Sequence, residues 1–586
     1  MAIAAQPGAR PIAPREKWAI AAILLLAALL RVPYLGRVPP PLNQDEASRG
    51  YDAWCLWETG ADRWAARWPF FLKSFGPGDY TAALSTYLIV PLIPLLGPTP
   101  EAMRLPSAIL GVATVLALWL WMRRQFEPSV GLLAAQFLAT QPWHVSMCRT
   151  AHESALVPFF LTCGLMLWSR GRLPPIAGPL DSPSRRSTPP TGRRGLSAFF
   201  AGIMLGLCAW VYPASRFLVP IMLLVMLLVA PRAWIALLRT AGGRRAAGAA
   251  MIGLMLGTLP VWWTLWRAPE QAAARAQATV LFYAPWSAGH IAREIAWNYA
   301  AEFDPRTLIV RGEDISSGDV LEFGRLLHVE LPLTLVGLAV LIRQAVRSTA
   351  ARFLLAWLLL HPLPAAICGG WNPHPMRAVL GAPIWAIVSA MGALTAVRWL
   401  ARRASGAGDF CDSRARRVVR GCASLGFAAL LVNVAWCARG YATDYPDRVA
   451  DDFQENLTHA MAWAGAHMNA YDVIGVTDVS NQPYIYALLY APVPPKQWRA
   501  ARVVVAPWNN RFDHVVRVDK FLFNALDRED RPAVRALAEE LASLPKGARC
   551  LYIDVPGRGP PGRVVTTFPR RNGDVGLELR EFRVGE

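Results

Sequence analysis

Charge is scarce in this sequence, and what there is leans to one sign. Charged residues make up 17% of the 586 residues, against 54% hydrophobic, and mean hydropathy is +0.28. That balance excludes an ordinary soluble enzyme and identifies a polytopic membrane protein. Disulfide spacing is missing too. The nine cysteines are scattered, mostly inside apolar runs, with no pairing that suggests a disulfide framework or a zinc site. His328 and His374 are not spaced like zinc ligands. No internal repeat is present. The net charge of +19 does not point to nucleic acid, because most basic residues sit in short loops between apolar runs, where they set membrane orientation.

What is present is a series of apolar runs long enough to cross a bilayer, near 17–36, 104–122, 129–147, 153–169, 197–213, 216–231, 246–266, 329–343, 352–369, 376–398 and 421–439, about eleven spans. The first follows Arg15 and Lys17, has no small-residue cleavage site and reaches Arg31, so it reads as a retained span. With a cytoplasmic N-terminus every cytoplasmic loop is basic, including 170–196, 232–245 and 398–420. The stretch 80–97, "YTAALSTYLIVPLIPLLG", would invert that pattern if it spanned. With Pro91 and Pro94 it reads instead as a helix dipping into the outer face. The stretch 171–195 reads as a Pro/Ser/Arg-rich cytoplasmic linker.

The expected domains are a transmembrane part, 1–440, with a first outer loop at 37–103, and a soluble outer-face α/β domain, 441–586. In the latter, "YDVIGVTDV", "YIYALLY", "ARVVVAPW" and "ARCLYIDV" read as strands, and 531–543 as a helix.

On this topology the ionisable residues gather at the outer membrane edge: Asp45, Glu46 and Arg49; Asp79 and Tyr80; Arg104; Arg149, His152 and Glu153; Tyr212 and Arg216; Glu302, Asp304 and Arg306; His374 and Arg377. Such groups are costly at membrane depth and mark a substrate path. Arginines beside carboxylates suit an anionic headgroup next to an acid–base centre. Two readings stand for the adjacent pair Asp45–Glu46. The pair caps a helix over 45–58, since acids favour helix N-termini, or it carries chemistry. Neighbouring helical residues point about 100° apart, so one of the two faces a reacting atom and the other orients a neighbour. Arg216 after Tyr212–Pro213 and Arg377 after His374–Pro375 are the arginines placed to hold a phosphate; for each the competing reading is an interface residue, a snorkelling arginine in the case of Arg216. Arg149, His152 and Glu153 either read a substrate or form an ion pair at a helix start. Glu302, Asp304, Arg306 and "RGED" at 311–314 lie in an outer loop that closes over an acceptor or is simply solvated.

Several stretches together carry a family resemblance: Asp45–Glu46 in the first outer loop, the dipping helix from Tyr80 to Gly97, "RLPSAILG" at 104–111, "CRTAHESALVPF" at 148–159 and "HPMRA" at 374–378. In this order, over roughly the first 400 residues, the chain resembles the type-C glycosyltransferases, in particular the superfamily of protein O-mannosyltransferases and lipid A aminoarabinose transferases. The resemblance implies a monosaccharide donor on a polyprenyl phosphate, inversion at the anomeric centre, Asp45 as base and Arg104 organising the carboxylates or the phosphate. The expected location is the cell (inner) membrane, with the N-terminus cytoplasmic and the C-terminal domain extracytoplasmic. The acceptor, whether protein, lipid or growing glycan, is left open. Some oligosaccharyl transferases hold a divalent metal at the equivalent of Asp45–Glu46, but nearer relatives do without it, so no cofactor is expected. Two stretches depart from the pattern: "GPGDY" at 76–80 replaces a Glu-Lys-Pro triplet, and His152–Glu153 stand where many relatives carry aspartate. The sugar is therefore not transferable. The rival classes are a lipid or sugar transporter or flippase, which predicts repeats and mid-span charges, and a structural subunit of a polysaccharide assembly machine.

This topology has a direct test. Cysteines introduced at Gly78, Gly312 and Gly557 should react with an impermeant reagent on intact cells while one at Ser187 stays protected; labelling at Ser187 would place the arginine-rich loops outside.

Overall fold

The computed structural model describes residues 11–175, 192–310, 323–370, 372–405, 413–477, 480–501, 503–507, 512–523, 543–558 and 560–585. Residues 176–191 of the expected linker 171–195, the "RGED" stretch and all but the last residue of the expected helix 531–543 lie outside them. The chain forms two compact units, one of residues 1–33, 107–263 and 279–442, the other of 34–106, 264–278 and 443–586.

The first unit is helical. Among the described residues six helices are long and apolar enough to cross a membrane, or eight if each of two bent pairs counts as one span. This is an integral membrane protein. All eleven expected runs fall on helices, but not as eleven plain spans. The run 129–147 divides into Pro128–Thr140 and Pro142–Cys148, and the latter bends by 119° into Glu153–Arg170. The cause is Pro142: a proline holds the residue before it extended, here Gln141 at φ −63° and ψ 119°, and then starts the next helix at its first position. Pro213 does the same after Tyr212, and Pro213–Leu228 bends by 82° into Pro231–Leu238.

Two helix pairs close on glycine. Gly202 and Gly206 on Gly192–Val211 face Gly253 and Gly257 on Ala241–Arg267, two small-xxx-small motifs packed against each other. A Cβ on Gly253 would lie 2.0 Å from the Phe199 carbonyl oxygen, and one on Gly202 2.0 Å from that of Ala250. Gly337 and Gly392 bring Glu330–Ala345 against Ala382–Ser405 in the same way, with Thr334 Oγ1 and Ser389 Oγ 2.9 Å apart alongside. Arg31, fully buried at the end of Pro14–Arg31, donates to the carbonyls of Ala27, Leu138 and Ala139 and to His144 Nδ1, so it ties the C-terminal ends of two helices.

The second unit joins the loop 37–103 to the C-terminal segment. Strands β1 (Phe71–Gly76) and β2 (Asp79–Ala82) form a hairpin around Pro77–Gly78. Tyr80, expected to open the dipping helix, is therefore on a strand opposite Lys73. The helical stretch that follows, Leu84–Leu96, has a 3₁₀ turn at Val90–Leu92 where Pro91 falls and is too short to span. The C-terminal segment builds a seven-stranded mixed sheet from β3 (Val473–Val476), β4 (Val503–Pro507), β5 (Asp513–Val518), β6 (Phe521–Phe523), β7 (Arg549–Asp554), β8 (Arg563–Pro569) and β9 (Val575–Arg583), in the order β4-β5-β6-β3-β7-β9-β8. Three of the four expected strands are present. "YIYALLY" is not one: Pro483–Tyr490 is a helix, started by Pro483 and buried along nearly its whole length, so its apolar run carries no period that separates strand from helix.

The helix 45–58 is observed as Gln44–Thr59, and it packs on Pro483–Tyr490. Tyr51 Oη donates to the Val493 carbonyl at 2.8 Å, Trp498 Nε1 to that of Arg63 at 2.7 Å, and Lys73 pairs with Asp513 at 3.0 Å.

The glycine contacts predict opposite outcomes for one substitution. Gly248 meets nothing within 4 Å, so Gly248→Ala should be neutral or raise the unfolding midpoint by up to about 1 kcal/mol of helix propensity. Gly253→Ala should lower stability by about 1–3 kcal/mol, because backbone must move. Equal midpoints in a thermal-unfolding assay would deny the close approach.

Candidate active site

The chain enters the Gln44–Thr59 helix through Pro39, Pro40 and Pro41, and Asn43 is its N-cap. Asn43 Oδ1 accepts from Glu46 N at 2.9 Å, and Glu46 Oε2 accepts from Asn43 N at 3.3 Å. This reciprocal capping box contributes about 1 kcal/mol to the helix start. The capping role considered for the acid pair thus belongs to Asn43 and Glu46.

Glu46 has a second and larger task. It is fully buried, and Arg104, also fully buried, grips it along one edge of the guanidinium: Nε to Oε1 at 2.9 Å and Nη2 to Oε2 at 2.7 Å. Arg104 also donates to the carbonyls of Leu35, Pro39 and Pro40 at 2.8, 3.2 and 3.0 Å. Those five bonds use every N–H of the side chain. Its charge also lies over the Phe453 ring, 5.8 Å from the centroid. Arg104 therefore organises a carboxylate and the proline turn, the first of the two roles the resemblance implies.

Asp45, one position earlier, is turned off this pair and is only partly buried. Arg49, one helical turn beyond Asp45, is buried on the same face. A turn further on, Asp52 takes Arg63: Nη1 at 3.0 Å and the backbone N at 3.1 Å, with Arg63 also held by Ser48 Oγ at 2.7 Å. Burial pushes the Asp52 carboxyl up to about 7 while Arg63 pulls it down. Tyr80 is partly buried on β2, and burial raises its phenol.

The other candidates lie in the helical unit. Glu302 is not solvated: fully buried, it accepts from Arg325 Nη1 at 2.5 Å and from the His374 backbone N at 3.0 Å. Arg325 in turn stacks on Trp143, 4.5 Å from the ring centroid, and Trp143 Nε1 donates to the Pro375 carbonyl at 3.1 Å. Glu302 thereby clasps the start of "HPMRA". Arg325 was not legible as part of this cluster; its only signal is a lone arginine ahead of Leu326–Leu327. Arg377 is half-buried, donates to the Gly369 carbonyl at 3.0 Å and has no acidic partner among the described residues. His374 is half-buried beside it in sequence. Arg149 donates to the carbonyls of Leu30 and Pro33 at 3.2 and 2.9 Å and lies over Tyr441, so it caps the end of the first helix. His152 and Glu153 are buried where Pro142–Cys148 bends into the next helix, Tyr212 is buried as the N-cap of Pro213–Leu228, and Arg216 is half-buried in the first turn of that helix. Among the described residues no group of three or more His, Cys, Asp or Glu could hold a metal ion.

Residues 81–171 match the family described as dolichyl-phosphate-mannose-protein mannosyltransferase. The match includes Arg104, Arg149, His152 and Glu153 and stops short of Asp45 and Glu46. No curated protein matches the chain. Among solved structures, ArnT from Cupriavidus metallidurans bound to undecaprenyl phosphate is 12% identical, with 96% of this chain and 97% of that one covered and a TM-score of 0.52. The same protein in the apo state gives 12%, 97%, 98% and 0.51. AglB from Archaeoglobus fulgidus, in complex with an inhibitory peptide and a dolichol-phosphate, is 14% identical over 82% of this chain and 64% of that one, with a TM-score of 0.46. The chain has the ArnT fold, and its residues 81–171 resemble the dolichyl-phosphate-mannose-protein mannosyltransferase family.

Proposed function

We propose that this chain is an inverting glycosyltransferase that moves a monosaccharide from a polyprenyl-phosphate carrier to an acceptor at the outer face of the inner membrane, with Asp45 as general base. The observation that carries the reading is the division of labour between two adjacent acids. Glu46 is locked under Arg104, which leaves Asp45, on a helix start fixed by that lock, as the partly exposed carboxylate. ArnT, which shares the fold, has been captured with undecaprenyl phosphate, and that supports a lipid phosphate as the leaving group here.

In the proposed reaction the acceptor oxygen attacks the anomeric carbon as its proton passes to the Asp45 carboxylate. The bond from that carbon to the phosphate oxygen breaks, and the electron pair leaves with the polyprenyl phosphate. A diester becomes a monoester, so negative charge builds on phosphate, and a fixed cation there stabilises the transition state more than the ground state. Arg377, without an acidic partner among the described residues, suits that task, with Arg216 and His374 as further phosphate ligands. Glu46 and Arg104 act by positioning. Arg49, Tyr80, Arg149, His152, Glu153, Tyr212 and Glu302 stay substrate-binding proposals of lower rank; Arg149 and Glu302 have structural partners that account for their placement. The N-terminus is proposed to be cytoplasmic and the C-terminal domain extracytoplasmic.

Mass spectrometry of the lipid that co-purifies should find a polyprenyl-phospho-sugar and name the donor. With that donor, Asp45→Asn should cut transfer by about a hundred- to ten-thousand-fold at unchanged unfolding midpoint; near-wild-type turnover would remove Asp45 as base. Glu46→Gln should do the reverse in kind, lowering the midpoint by about 3–5 kcal/mol of stability, because it leaves the Arg104 charge buried without its counter-ion. Arg377→Ala should weaken donor use in a folded protein, with Lys rescuing only in part; full activity in Arg377→Ala would dismiss it.

A further inference from the structure

Two glutamines of the second unit stand where glycine is the usual residue. Gln454 has φ 51° and ψ 43°, and Gln482 φ 52° and ψ 53°; both are left-handed, and each immediately precedes a helix, Glu455–His467 and Pro483–Tyr490. A residue with a Cβ pays for that conformation in free energy, and one standing before a proline, as Gln482 does, is restricted further. Both side chains are buried, Gln454 at 9% exposure and Gln482 at 3%. Gln454 Nε2 donates to Gln44 Oε1 at 3.1 Å and to the Asn481 carbonyl at 3.0 Å, and Gln482 Nε2 donates to the Asp513 carbonyl at 3.3 Å. These bonds bring the two residues to one place: Gln44 opens the helix Gln44–Thr59 and adjoins Asp45, and Asn481 adjoins Gln482.

Backbone carbonyls only accept, so the nitrogen of each amide must face them and the oxygen is the end left over. In both glutamines that oxygen, Oε1, is buried and has no hydrogen-bond partner among the described residues. Two neighbouring amide acceptors with nothing to accept are costly, and the bridge to Gln44, Asn481 and Asp513 does not account for them, because the nitrogens alone build it. The backbone around Gln454 is held from another side: Arg571, in the turn before β9, pairs with Glu455 at 2.6 Å and with Asp447 at 3.1 Å. The network reaches the surface, since Gln44 and Asp45 are partly exposed and Asn481 is exposed. What it lacks is donors. Uncharged amide oxygens match neutral O–H groups and repel an anion, so the ligand they fit is rich in hydroxyls, as a sugar is.

We propose that Gln454 and Gln482 form a hydroxyl-reading subsite at the first turn of Gln44–Thr59, where their amide oxygens accept O–H groups of the donor's sugar. This rests on the reading of the chain as a polyprenyl-phosphate-sugar-dependent transferase acting at Asp45. Two acceptors at fixed positions discriminate between sugars by hydroxyl position, because a ligand without the matching O–H leaves a buried oxygen unpaired. The C-terminal segment thereby takes part in the choice of sugar.

The test is equilibrium binding of two lipids to the full-length protein: the co-purified polyprenyl-phospho-sugar, and the same polyprenyl phosphate without its sugar. Gln454→Met and Gln482→Met, close to glutamine in shape but without the amide oxygen, should each weaken the sugar-loaded lipid by about three- to tenfold and leave the bare lipid at wild-type affinity. Gln44→Met breaks one arm of the bridge while Gln454 stays tied to Asn481 and both oxygens remain, so it should change neither affinity. A glutamine that acted only through the bridge would give Gln44→Met and Gln454→Met the same effect, and that result would overturn the role of Gln454. Where a methionine variant does not fold, asparagine, which keeps the amide one methylene short, takes its place with the same expectation. Wild-type affinity for the loaded lipid in both variants would overturn the subsite, and so would a parallel loss of both lipids. An ordered water on the two oxygens gives the first of these results, since it stays whether or not the lipid carries a sugar. Wild-type protein that binds neither lipid would overturn the transferase reading and the subsite together, whereas a bound sugar-lipid that the variants do not weaken removes the subsite alone.

Discussion

The buried pair of Glu46 and Arg104 is the constraint on which the loop 37–103 depends. A charged pair taken wholly out of water is tolerable only when its geometry is bidentate and its remaining donors are satisfied. Here three backbone carbonyls complete the guanidinium, and two of them belong to the proline turn that leads into the helix. One interaction therefore fixes the turn, the helix N-terminus and the direction of the neighbouring acid. Neither group could be replaced singly without stranding its partner's charge. Of the two adjacent acids, Glu46 is thereby committed to structure.

The same economy recurs elsewhere. Arg31, Arg149, Arg325 and Arg63 all end on backbone carbonyls, aromatic faces or single carboxylates inside their own unit. In a chain so poor in charge, these arginines are fasteners. Arg377 differs by having no acidic partner among the described residues, which is the property a phosphate ligand needs.

Much of this was legible in the sequence, for physical reasons. Apolar runs and basic loops report membrane helices because bilayer thickness and charge asymmetry leave little freedom. The short dipping element was readable from Pro91 and Pro94. The helix 45–58 was readable from Asp45 and Glu46, while its actual N-cap, Asn43, was not read. What failed did so where a local signal serves two structures. "YIYALLY" is as apolar as a strand, and only its packing on two sides makes it a helix. Tyr80 looked like the start of an apolar helix because Pro77–Gly78, read as a departure from a motif, was not read as a hairpin turn. Third and fourth spans blurred because Pro142 looks alike in a loop and at a helix start. Long-range partners were invisible: nothing local links Glu302 to Arg325, or Asp52 to Arg63.

The bond from Tyr51 to the Val493 carbonyl joins residues 442 positions apart. At a synthesis rate of about 5–20 residues per second, roughly 20 to 90 seconds separate the appearance of the two. Arg104 follows Glu46 by only 58 positions, so the acid end of the helix can be set almost as soon as it emerges. Its flank must wait for the tail of the chain, and any factor that shields the loop during that interval must release it before the sheet can close on it.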